Sequence, residues 1–96
     1  MTDWLYTKSG EPAAFVVDEK IYDPSGHPVG RIREGHVYRR DGRYVGELDR
    51  EMVLDKHRSR SSMSSMSASS RSSRLRPSHR SSRSSSYPDA IMRLFD

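Results

Sequence analysis

The residue types able to do chemistry are plentiful in this 96-residue chain and badly placed for it. His27, His36, His57 and His79 match the spacing of no common metal site, and the carboxylates are scattered through short connectors. His27 and His36 read as solvent-exposed turn or connector residues. Serines abound, yet none stands in the Gly-x-Ser-x-Gly setting that exposes a nucleophile on a strand-to-helix turn. Residues 26–30 lack the helix and Lys-Ser/Thr of a phosphate loop. There is no cysteine, which excludes disulfides and thiolate metal ligands. The expectation is a protein that is not an enzyme and needs no cofactor, metal or small-molecule ligand.

Charge divides the chain sharply. Residues 1–56 carry 9 Lys/Arg and 11 Asp/Glu, a net of −2. Residues 57–88 carry 7 arginines and no acid, a net of +7. The basic character therefore belongs to one segment. Those arginines, Arg58, Arg60, Arg71, Arg74, Arg76, Arg80 and Arg83, are the candidate nucleic-acid contacts. They would neutralise phosphates in weak, salt-sensitive, sequence-independent binding. No aromatic interleaves with them before Tyr87, so base stacking is unsupported. Other readings are a solvated tether, Arg-Ser sites for phosphorylation and, ranked lower, contact with anionic membrane.

The elements that must position these groups are a repeat. Tyr6, Tyr22 and Tyr38 are sixteen apart, as are Gly10, Gly26 and Gly42, and Ala14, Gly30 and Gly46. The column Leu5, Ile21, Val37 has a fourth member at Val53. Self-similarity at a fixed period marks a fold built from copies of one supersecondary unit. Each copy reads as a hairpin: an apolar-aromatic strand, a turn ending in Gly, a second strand. Pro or Asp early in the turn and Gly at its end predict a type I turn closed by a positive-φ residue. A small residue in mid-strand at 14, 30 and 46 predicts close backbone approach around a shared axis.

These columns resemble the 4-fold beta flower domain, small bacterial proteins of four short hairpins about a pseudo-fourfold axis. The resemblance rests on Trp4-Leu5-Tyr6 with Gly10-Glu11-Pro12-Ala13-Ala14-Phe15, and on Ile21-Tyr22 with Gly26-His27-Pro28-Val29-Gly30. Val37-Tyr38 with Asp41-Gly42-Arg43-Tyr44-Val45-Gly46 completes it. It covers residues 4–54 and implies no catalytic residue.

The fold class expected is therefore all-β, with repeats near 4–17, 20–33 and 36–49 and a fourth begun at 52–56. The domain is read as residues 3–56, and 57–88 as a disordered Ser/Arg-rich insertion or linker, since it has almost nothing apolar to bury. Residues 89–96 are read as a returning strand that completes the fourth hairpin. The alternative is a short helix opening at Pro88. A long insertion at a turn is tolerable because loop-closure cost grows only logarithmically.

Function is read as a non-enzymatic binding or scaffold module of unknown partner, a protein or a second copy of the chain. The alternative is a nucleic-acid-associated accessory protein, with contacts weak and non-specific. Trp4, Tyr44, Arg39, Arg40 and Arg43 form the candidate protein-binding face, because interfaces favour Tyr, Trp and Arg. The start of the chain has no basic stretch leading into an apolar run, and no window is long enough to span a membrane. No membrane role and a cytoplasmic location are expected.

Overall fold

The computed structural model describes residues 4–66, 68–82 and 86–95. Seven strands follow in chain order: β1 (Trp4–Tyr6), β2 (Pro12–Val17), β3 (Lys20–Tyr22), β4 (Pro28–Arg33), β5 (His36–Arg39), β6 (Tyr44–Asp49) and β7 (Met52–Leu54). Each pairs antiparallel with its chain neighbour, so the sheet order is the sequence order. The sheet curls into a nearly closed barrel. At the seam the Tyr6 N–H donates to the Glu51 carbonyl over 2.8 Å.

Two kinds of turn alternate around the ring. Those inside a repeat follow the expected type I form: the Gly10, Gly26 and Gly42 amides each donate to the residue three back at 2.9 Å. The three glycines hold φ near +95° (94°, 98° and 96°), and the register slips by one residue beside each tyrosine. Such a bulge lets the turn close while the strand twists. The connectors between repeats are two-residue turns with both residues at positive φ: Asp18 and Glu19, Glu34 and Gly35, Arg50 and Glu51. That is the type I′ geometry that matches strand twist.

Alternation along each strand sorts the side chains. Leu5, Ile21, Val37 and Val53 point to the axis and are fully buried with Ala14 and Val45, and Val16 packs with them. A Cβ on Gly30 would strike the Tyr38 carbonyl and come within 2.7 Å of Leu94 Cδ2, while one on Gly46 would lie 2.5 Å from the Leu54 carbonyl. The mid-strand small residues are thus needed for close approach, as expected.

The C-terminal residues return to the fourth position, but not as a strand. Asp89 makes a single antiparallel bridge to Leu54, and Ala90 donates to the Val53 carbonyl over 2.8 Å. Ile91–Phe95 then forms a 3-10 helix instead of the expected strand. The space left by Gly30 and Gly46 explains the change. Ala90, Ile91 and Leu94 turn inward together and fill the barrel's apolar centre, which an alternating strand cannot do with residues three apart. Arg93 fastens the helix through Asp55 at 2.9 Å.

Candidate functional site

The outward face of the same strands carries the aromatics. Trp4, Phe15 and Tyr22 form one buried group, with Tyr6 and Val17 packed against it. Trp4 and Phe15 are tilted at 5.6 Å between centroids, and Phe15 stacks on Tyr22 at 5.4 Å. Further round, Tyr38 meets Tyr44 edge-on at 5.9 Å. The tyrosine column is therefore outer wall, and the aliphatic column beside it is core.

Residues 58–66 and 68–82 cross this wall. They have no regular secondary structure, yet they are not detached from the barrel among the described residues. The segment meets the turns in reverse order, third, second, first. Met63 N–H donates to the Gly42 carbonyl (2.8 Å), Arg71 N–H to Gly26 (2.8 Å) and Arg80 N–H to Gly10 (3.0 Å). Three residues after each of the first two contacts comes another: Met66 N–H to the Arg40 carbonyl and Arg74 N–H to Pro24, both 3.0 Å. The spacing follows the units Met63-Ser64-Ser65-Met66, Arg71-Ser72-Ser73-Arg74 and Arg80-Ser81-Ser82-Arg83. Sequence reading missed these units because composition dominated the segment, although the recurring Ser-Ser pair was a visible signal.

The arginine side chains complete the contact. Arg80 lies over Tyr6 with its guanidinium carbon 4.0 Å from the ring centroid, Arg74 over Phe15 at 4.6 Å, and Arg71 over Tyr22 at 5.5 Å. Contacts of this kind are worth about 0.5–1 kcal/mol where exposed. Acids of the barrel add ion pairs: Glu51 with Arg80 at 2.6 Å, Glu47 with Arg58 at 3.6 Å, Glu11 with Arg76 at 3.9 Å. A net-negative barrel thus holds a net-positive strap.

Glu47 anchors a polar cluster under the start of that strap. The residue is only 7% exposed, and its carboxylate accepts the Tyr44 hydroxyl at 2.6 Å and meets His36 Nδ1 at 2.7 Å. Burial by itself pushes its pKa up. The hydrogen bonds from Tyr44 and His36, with the charges of His36 and Arg58, outweigh that and hold it below the ordinary value. Burial first, and then the neighbouring Glu47 carboxylate, push the Tyr44 phenol up.

Of the candidate nucleic-acid contacts, Arg58, Arg71, Arg74, Arg76 and Arg80 all lie against the barrel, Arg60 is exposed, and Arg83 falls outside the described residues. Of the candidate protein-binding face, Arg39, Arg40 and Arg43 gather at the third turn, where Asp41 sits 4.0 Å from Arg39 and 3.6 Å from Arg43. Tyr44 follows them directly, but Trp4 belongs to the separate group with Phe15 and Tyr22. Among the described residues no group of His and acidic side chains is arranged to hold a metal ion. No helix among them is long and apolar enough to cross a membrane.

The sixteen-residue columns, the antiparallel ring and the shared axis decide the family, and comparison with known families agrees over residues 3–93. The chain belongs to the 4-fold beta flower protein family. Comparison with curated proteins and with solved structures finds no match. In this beta flower the match runs through the strap as well as the hairpins.

Proposed function

We propose that this beta flower is a non-catalytic binding or scaffold module that presents its repeat surfaces to a protein partner. One observation carries the reading: the outer wall holds an extended chain by main-chain hydrogen bonds at three equivalent turns. A surface that seats one extended backbone by its peptide groups has the chemistry of peptide recognition. The Ser/Arg segment adds electrostatic contacts. Five of its seven arginines face rings or acids of the barrel, which leaves fewer charges for phosphates.

Titration of the intact chain with a labelled single-stranded oligonucleotide, at low and at moderate salt, separates the classes. The expected result is no saturable binding at moderate salt. Saturable binding whose log–log salt slope reaches several units, at roughly 0.7–0.9 per phosphate, would make the segment a nucleic-acid arm and defeat the proposal. Light scattering on the same sample reports whether the partner is a second copy.

A further inference from the structure

We infer that the outer wall is a receptor for an extended basic peptide of another protein, built from units with a large residue on each side of two small ones. Arginine is the preferred large residue at the first and second turns. The chain's own strap holds the site as a tethered ligand. The inference rests on the binding-module reading and names its ligand.

Three independent features support it. The first is the repeated register. At the second and third turns the first and fourth residues of a unit donate their amides to carbonyls two residues apart, Gly26 with Pro24 and Gly42 with Arg40. The Ser-Ser pairs between them are exposed, so the middle positions need only be small. Recognition through peptide groups sets register and tolerates sequence, while side-chain contacts at the outer positions give preference.

The second feature is the turn glycines. A Cβ at Gly10, Gly26 or Gly42 would collide with the carbonyl of Arg80, Arg71 or Met63 respectively. The turns are therefore shaped for a backbone passing directly over them, beyond what their own φ angles require.

The third is the looseness of the occupant. Arg71 and Arg74 remain exposed above their rings, and Leu75 is 96% exposed with no pocket to fill. A strap held by several weak contacts in series opens one station at a time. A separate peptide with the same spacing and higher density of contacts can then take each station. Glu11, Glu47 and Glu51 beside the path favour a basic ligand.

The test uses the full chain and a fluorescent peptide of residues 69–82. In an Arg71→Ala/Arg74→Ala/Arg80→Ala variant the tethered ligand is weakened. Peptide affinity is expected to rise on the order of tenfold over the unsubstituted chain, since the fraction of open sites sets apparent affinity. Adding Gly26→Ala to that variant is expected to abolish that gain, since a Cβ there collides with a backbone crossing the second turn. Should the triple variant fail to fold, excess peptide on the unsubstituted chain is expected to speed amide exchange at Arg71 and Arg80, which hold the second and first turns. A scrambled peptide of equal charge binding as well would overturn the inference, as would no saturable binding in either form. Concentration-dependent dimerisation without peptide capture would assign the stations to a second copy and overturn it too. If the peptide fails and no oligonucleotide binds, only this inference falls. If an oligonucleotide binds with a steep salt slope, the binding-module reading falls with it.

Discussion

Arg80 Nη1 lies 2.6 Å from Glu51 Oε1 while its guanidinium carbon sits 4.0 Å from the Tyr6 ring centroid. One side chain thereby joins the strap, β1 and the turn between β6 and β7. Its Nη2 also donates to the Arg50 carbonyl at 2.9 Å. This is the seam where the barrel closes through Tyr6 and Glu51. The open edge of a curled sheet is where pairing is weakest, so a fastening there acts on the whole ring.

Replacing Arg80 by Ala is expected to cost about 1–2 kcal/mol, combining a cation–π contact with a half-buried ion pair. Replacing the exposed Arg60 by Ala is expected to stay within about 0.5 kcal/mol. Urea midpoints of the two variants make the comparison. Equal midpoints would mean that the strap contributes nothing to the closure.

Gly26 and Gly35 both have positive φ, 98° and 80°, but different surroundings. An added Cβ at Gly35 meets nothing within 4 Å, whereas at Gly26 it meets the Arg71 carbonyl. Gly35→Ala is expected to cost about 1 kcal/mol from backbone strain alone. Gly26→Ala is expected to cost more and to speed exchange of the Arg71 amide, which Gly35→Ala leaves unchanged. Equal costs with an unaltered Arg71 amide would show that the second turn does not hold the strap.

Glu47 gives an acid-side signature. Its folded pKa lies below the ordinary value, so folding favours its charged form. That stabilisation is fully present above the unfolded pKa, near 4.5, and is lost as pH falls through the folded value. Stability should therefore decline on acidification below about pH 4.5. Glu47→Gln is expected to flatten that part of the profile and to lower stability at neutral pH. Urea midpoints measured across the acid range check both. On the alkaline side Tyr44 should titrate late in the phenolate absorbance, and Tyr44→Phe should remove that contribution.

The barrel was legible in the chain because each repeat meets the same surroundings. Leu5, Ile21, Val37 and Val53 recur at one spacing and all reach the axis. The turn glycines announced their geometry because only a residue without Cβ takes that φ cheaply. Ile91 and Leu94 were harder to read. Between Ala90 and Phe95 apolar residues fit either an alternating strand or one turn of helix, and the axial space beside Gly30 and Gly46 decides between them. The strap was read only as a charge run. Its register depends on carbonyls of turns up to 70 residues away (Arg80 to Gly10), and no local rule signals such a partner. The Tyr44, His36 and Glu47 cluster was hidden likewise, because residues 36 and 47 become neighbours only through strand pairing.

The type I′ connectors supply a final test, since two of them lack the glycine that this turn favours. Glu19 and Glu51 hold the second position at φ 65° and 68°, where the third connector has Gly35. Glu19 is exposed, and its carbonyl accepts the Ile32 N–H at 2.8 Å, a bond that glycine keeps. Glu19→Gly relieves a left-handed strain of about 1–2 kcal/mol and loses about 0.5–1 kcal/mol to the freer unfolded chain. A net gain of roughly 0.5 kcal/mol is expected from those two. Glu51→Gly has the same backbone terms but also removes the partner of Arg80, so it should be neutral or destabilising. Matched urea denaturation of both variants isolates the Arg80 fastening, because the turn contribution cancels between them. If Glu51→Gly stabilises as much as Glu19→Gly, the ion pair at the seam holds nothing.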